Sequence, residues 1–208
     1  MRVRKTAEAR KAEIIDATLR LADELGPERL TTEAVANAVG LTQPGIFRHF
    51  PKKQDLWEAV AGRVGAMMEA RWSKAQSPDA APIDQIRALI AGQLRLIQST
   101  PAIPAILFSR ELHTKNKGLR TAFFGLLSRF HQMIADLVAR ACERGELHGD
   151  LNPDDAAFLI VGLVQGLAVR WSISGRCFDL TEEGCRLLDV QLSGFACERA
   201  AARKEAKS

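Results

Sequence analysis

The chain has 208 residues and 22.8 kDa, with 47% hydrophobic and 26% charged residues and a mean hydropathy of −0.08. This balance argues against disorder and gives no sign of a membrane protein. The net charge of +4 is modest but unevenly placed. Arg2, Arg4, Lys5, Arg10 and Lys11 face a single acid, Glu8, and Arg48, Lys52 and Lys53 are followed by no acid until Asp55. Two basic patches flank one short region, an arrangement suited to a polyanion. The basic start, Met1 to Lys5, is not followed by the roughly 7 to 15 apolar residues of a signal peptide. The most apolar stretch, residues 156–167, is shorter than the roughly 20 residues of a membrane span. A cytoplasmic protein with no membrane partner is therefore expected. Cys142, Cys177, Cys185 and Cys197 form no CxxC pair and have no histidine placed to complete a zinc site. Reduced thiols, no metal and no cofactor are expected.

Helical periodicity runs through the whole chain. Ile14, Ala17, Thr18, Leu21, Ala22 and Leu25 form one apolar stripe, closed by Gly26 and Pro27. Thr31 caps a short second helix over residues 32–39 with Val35, Ala36 and Val39 inward, and Gly40 stops it. Thr42 caps a third helix with Pro44 in its first turn and Ile46, Phe47 and Phe50 inward. Pro51 ends it. A fourth helix spans residues 52–74 and carries Leu56, Val60, Val64 and Met67. Residues 77–82 read as the clearest loop, followed by helices over residues 83–99, 102–113, 118–143, 153–174 and 181–197. No stretch alternates with period two, so the fold class is all-α with about nine helices.

Two short helices joined by a glycine-containing turn form a helix-turn-helix, whose second helix fits the DNA major groove. Thr42, Gln43, Pro44, Gly45, Arg48 and His49 face outward on the third helix. Gln43 suits adenine or a phosphate, Arg48 and His49 suit phosphate or guanine, and Gly45 permits close backbone approach. Thr31, Thr32 and Lys53 are placed to grip phosphates, aided by positive helix ends.

The segment from Leu30 to Leu56, LTTEAVANAVGLTQPGIFRHFPKKQDL, closely resembles the DNA-binding signature of the tetracycline-repressor (TetR) family, and the resemblance covers roughly residues 9–60. It implies an N-terminal three-helix DNA-binding domain at residues 9–55 and a C-terminal helical domain for dimerisation and effector binding at residues 56–200. The tails 1–8 and 201–208 read as flexible, and the first offers an alternative role as a salt-sensitive DNA arm. The partners implied are a palindromic double-stranded operator and a second copy of the chain. The dimer would form a four-helix bundle from residues 153–174, starting at Pro153 and ending on Ser174, and residues 181–197, starting at Thr181 and ending on Cys197. Gly162 and Gly166, four apart, permit close helix approach there. The family usually has tyrosine where this chain has Phe47, so the phosphate bond of that hydroxyl is missing. Phe47 is kept as a packing residue that also touches the DNA backbone or a thymine methyl.

Leu107, Phe108, Leu112, Phe123, Phe124, Leu127, Phe130, Met133, Ile134 and Trp171 are the candidate lining of a pocket for a small hydrophobic effector. Stripes of this kind are also how an ordinary core is built. Arg110, Glu111, His113 and His131 are candidate polar anchors. The leading function is a ligand-responsive repressor, with a site-marking factor that senses no ligand as the alternative. No nucleophile–base pairing or phosphate loop is visible, so no enzyme is expected.

Overall fold

The computed structural model describes residues 6–75, 77 and 79–196, which form ten helices and no strand beyond one isolated bridge, Leu147 to Ala196. They group into two packing units. One holds residues 1–67 and 100–125, the other residues 68–99 and 126–208. The boundary expected at 55/56 does not coincide with this grouping, because residues 56–67 and 100–125 pack with the N-terminal helices.

In the first unit, α1 (Ala7–Leu25) packs on α2 (Thr32–Ala38) and α6 (Ala102–Leu107). Thr6 caps α1, its hydroxyl accepting from the Ala9 N–H at 3.2 Å, so residues 6–8 are ordered helix start rather than tail. Residues 1–5 and 201–208 lie outside the described residues. Ile14, Ala17, Thr18, Leu21 and Ala22 are buried, whereas Leu25 is exposed at the helix end. A fully buried isoleucine or leucine side chain such as Ile14 contributes on the order of 1.5–3 kcal/mol. Gly26 stops α1 with φ 82°, and Gly40, at φ 64°, turns the chain after α2. The short α3 (Gln43–Phe47) starts at its Thr42 cap, and α4 (Lys53–Ala75) begins this unit's share of a long helix. Leu56, Trp57, Val60, Ala61 and Val64 are buried there. The stripe then continues with Met68, not Met67.

The single helix expected over residues 102–113 is two, α6 and α7 (Arg110–Lys115), which raises the count from nine to ten. Ser109 takes extended backbone angles (φ −72°, ψ 95°), and its hydroxyl accepts from the Leu112 N–H at 3.1 Å while donating to the Glu28 carboxylate. A serine satisfied from both sides holds the break. α8 (Lys117–Glu143) contributes its first turns to this unit.

The second unit is built from the end of α4, α5 (Pro82–Ser99), the rest of α8, α9 (Pro153–Ile173) and α10 (Leu180–Phe195), with α10 packed on α5 and α9. Gly184 of α10 lies against Leu94, where a Cβ would collide with the leucine side chain. Arg87 pairs with Asp189 at 2.8 Å, and Trp72 stacks on Phe130 (centroids 5.4 Å) while donating to Gln93 Oε1 at 3.2 Å. α10 begins one residue earlier than expected because Asp179, not Thr181, caps it, its carboxylate accepting from the Glu182 N–H at 2.8 Å. Thr181 instead donates to Gln98 Oε1 through both its N–H and its hydroxyl. Cys197, the expected end of this helix, is outside the described residues.

α9 corrects another expectation. An 18-residue window of this 21-residue helix has a mean hydropathy of 1.7, and by length and composition alone the helix is long and apolar enough to cross a membrane, because Ala168, Val169 and Ile173 carry the apolar run past residue 167. Its inner face, including Ala156, Ile160, Val164 and Trp171, is buried in the second unit. Its other face carries Phe158 at 69% and Ile173 at 82% exposure, with Leu159 also exposed.

Candidate nucleic-acid interface

The geometry of the α2–α3 pair follows from its caps. Thr31 accepts from the Ala34 N–H at 3.1 Å and Thr42 from the Gly45 N–H at 3.3 Å, each leaving its own hydroxyl hydrogen to donate outward. The turn is tied by Leu41 N–H donating to Ala36 C=O at 2.9 Å. Val35, Ala36, Ile46 and Phe50 are buried and hold α3 against α2. What remains outward is one surface made of Thr42, Gln43, Pro44, Phe47 and Arg48, with Gly45 and His49 half-buried at its edge.

Phe47 belongs to that surface. It is 39% exposed, not on the inward face where its apolarity placed it, because Ile46 and Phe50, one turn apart, already fill the contact with α2. Thr32 moves the other way. Its side chain is buried, and its hydroxyl accepts from Gln43 Nε2 at 2.8 Å, so it orients Gln43 instead of reaching a phosphate. Lys53 is half-buried and donates to the Leu30 carbonyl at 2.5 Å. Burial pushes its pKa down, with nearby Lys115 adding to the effect and Glu111 opposing it. Neither tie has a signal in the sequence, since the partners are 11 and 23 positions apart. At Gly45 a Cβ would meet Leu41 and Thr42 at an ordinary 3.5 Å, so the fold itself does not require glycine there.

Residues 14–60 match the family described as bacterial regulatory proteins, tetR family, and residues 82–176 match the tetracyclin repressor-like C-terminal domain. The chain belongs to the TetR family. Among relatives, the HTH-type transcriptional regulator TtgR of Pseudomonas putida is 26% identical over 196 residues, 92% of this chain and 93% of that protein. The nucleoid occlusion factor SlmA of Vibrio atlanticus is 24% identical over 177 residues, covering 83% and 89%. In fold, the chain is similar to SmeT, the repressor of a multidrug efflux pump in Stenotrophomonas maltophilia, with a TM-score of 0.72 at 20% identity over 92% of this chain and 93% of that one. TetR proteins are DNA-binding regulators of transcription, and this chain is one of them.

The ten residues expected to line an effector pocket are divided between the two packing units. In the first unit Phe124 is 71% exposed and Phe108 is also exposed, while Phe123 is buried edge-on against His113 at 5.8 Å. Leu107 is half-buried and Leu112 buried. In the second unit Phe130 and Ile134 are core, Leu127 is half-buried, and the Trp171 indole N–H donates to the Phe178 carbonyl at 3.0 Å. Met133 does face a cavity of about 340 Å³, which Leu89 and Leu137 share with Gln85, Asp136 and Arg140. An adjoining groove of about 310 Å³ between Trp72 and Arg129 shares Met133 and Asp136. The expected polar anchors are used locally: Glu111 by Lys115 at 2.6 Å, His113 by the Leu107 carbonyl at 3.0 Å, and His131 by Asp154 at 3.2 Å. Arg110 is exposed. A periodic stripe marks a buried face, but it does not say whether the space opposite is filled by another helix.

Proposed function

We propose that the chain is a ligand-responsive repressor that binds a palindromic operator as a homodimer, laying the outward face of α3 in the major groove. The observation that carries this reading is the surface of Thr42, Gln43, Pro44, Phe47 and Arg48, presented by a capped, buried-backed helix. Gln43, oriented by Thr32, reads a base, Arg48 donates to guanine or phosphate, and the Thr31 and Thr42 hydroxyls and His49 meet the backbone. Lys53 reaches phosphate only by leaving Leu30. The exposed strip of α9, from Phe158 and Leu159 past Gly162 and Gly166 to Ile173, together with Val190 of α10, supports these helices as the dimer seam. A Cβ on either glycine meets nothing within 4 Å, so a second copy has room to approach. α4, one unbroken helix with residues in both units, supports coupling of an effector near Met133 to α3. The amphipathic lining there, four apolar side chains beside Gln85, Asp136 and Arg140, suits an apolar effector with a polar group.

Selection from random duplexes tests the reading. A two-fold symmetric site with half-sites roughly 34–36 Å apart is expected, and Arg48→Ala should lose about 1–3 kcal/mol on it. Recovery of no symmetric site would overturn the proposal. The similarity to SlmA supports a second reading, a site-marking factor without an effector. Native mass spectrometry separates the two, since a small molecule that co-purifies and loosens operator binding excludes the second.

A further inference from the structure

The start of α4 does not stand alone in the first unit. Asn116, the residue between α7 and α8, donates from Nδ2 to the Gln54 carbonyl at 3.2 Å and caps α8 by accepting from the Leu119 N–H at 2.8 Å. Its side chain is buried, so the α7–α8 corner is fastened to the first turn of α4. Gly118 lies against Glu58, where a Cβ would collide with the carboxylate, and this fixes the same contact one turn further along α4. The lysines on either side of Asn116 therefore stand beside Lys52 and Lys53. Lys115 shares a small cavity with Lys53 and, after burial, is the next cause that lowers the Lys53 pKa. The charge continues along α8. Residues 110–135 carry Arg110, Lys115, Lys117, Arg120 and Arg129 against one acid, Glu111, which Lys115 holds at 2.6 Å. Lys117 and Arg120, one turn apart, are exposed and form no ion pair among the described residues. The first two turns of α4 bring two acids, Glu58 and Asp55, the latter accepting from the Lys52 N–H at 2.9 Å. Lys52, Lys53, Lys115, Lys117 and Arg120 thus outnumber Asp55, Glu58 and Glu111. Like charges held together by a buried asparagine repel one another, a cost that a polyanion removes.

We propose that the α7–α8 corner is a second phosphate-binding surface, on which Lys117 and Arg120 hold the backbone of the duplex beside the groove that α3 occupies. The inference rests on the DNA-binding reading and extends it. Duplex DNA is the occupant because the basic row is continuous with the start of α4, where Lys52 is exposed next to the turn that follows α3. Lys115 joins the row when it leaves Glu111. Phosphates carry no sequence, so the surface adds affinity without choosing the operator.

Fluorescence anisotropy of the full-length protein on the selected operator and on an unrelated duplex of equal length, at roughly 50 to 200 mM salt, tests the surface. The double substitution Lys117→Gln with Arg120→Gln should lower the slope of log affinity against log salt by about 1.8, two contacts at about 0.9 each, on both duplexes. Over that range its deficit against the natural chain should shrink about tenfold. Arg95→Gln with Arg144→Gln removes the same charge from exposed positions of the second unit and should leave the slope in place. A slope unchanged by the first pair, or lowered equally by the second, overturns the surface. A loss confined to the operator overturns it too, because these side chains would then read bases. Glu111→Gln frees Lys115 and should tighten binding to both duplexes at least about threefold, a gain that misfolding cannot produce. Should the first pair lose its helical circular dichroism, Glu111→Gln decides, and binding left unchanged by it overturns the surface. A natural chain that binds neither duplex overturns the DNA-binding reading instead.

Discussion

At the scale of single residues, Phe47 shows how one missing atom shapes an interface. It stands exposed among Gln43, Pro44 and Arg48, on the face proposed to meet DNA, where a hydroxyl would add a donor for a phosphate. Phe47→Tyr is expected to tighten DNA binding by about 0.5–1.5 kcal/mol, the worth of one hydrogen bond. The gain should be equal on specific and unrelated duplexes, which fluorescence anisotropy on both would show. A gain confined to the operator would mean that the ring reads a base. Phe47 was legible as a member of this short helix but not as outward, because hydrophobicity alone cannot rank three apolar residues competing for two inward places. Thr32 and Gln43 show the reverse. Each could be picked out along the chain, yet their bond at 2.8 Å exists only because the turn folds α3 back on α2.

Among the elements, caps set the boundaries and some of the pH response. The Asp179 carboxylate is held below its ordinary value of 3.8, first by the Glu182 N–H and then by the Gln98 side chain. A carboxylate with a depressed folded-state pKa contributes stability that is present above the unfolded value and lost as pH falls through the folded one. Asp179→Asn keeps an acceptor for the cap but cannot titrate. Its difference from the natural chain in urea midpoint should therefore shrink as pH falls below 3.8, and the exposed site keeps that difference small and sensitive to salt. A difference constant from pH 7 down to that range would remove the assignment. Tighter packing decides the α5–α10 pair. Gly184→Ala drives a methyl into Leu94 and should cost about 1–3 kcal/mol, readable as a lower urea midpoint with an unchanged slope. Ser109 at the α6–α7 break is a cap signal that sequence reading passed over, since the apolar residues on either side of it fit a single helical stripe.

For the whole molecule, the exposed apolar strip of α9, with Phe158, Leu159 and Ile173, is costly to leave in water. Phe158→Arg is expected to shift sedimentation from dimer to monomer while leaving the helical circular dichroism intact. It should also lower operator affinity, because two half-sites are then bound separately. A dimer that survives this substitution would place the seam elsewhere. The division into two packing units was not visible in the sequence, because the residues after α5 return to the first unit and no composition change marks the crossing.

The sequence by itself determined what depends on neighbours in the chain: nearly every helix, its cap or stop, the turn after Gly40 and the family signature around α3. These follow from propensity, capping and a 3.6-residue period, which act over a few positions. Tertiary structure alone decided which apolar residues stay exposed, Phe124 among them, that Lys53 turns to Leu30, and that Met133 faces a cavity. Those outcomes depend on which side chains meet across helices far apart in sequence, and local periodicity carries no record of the opposite wall.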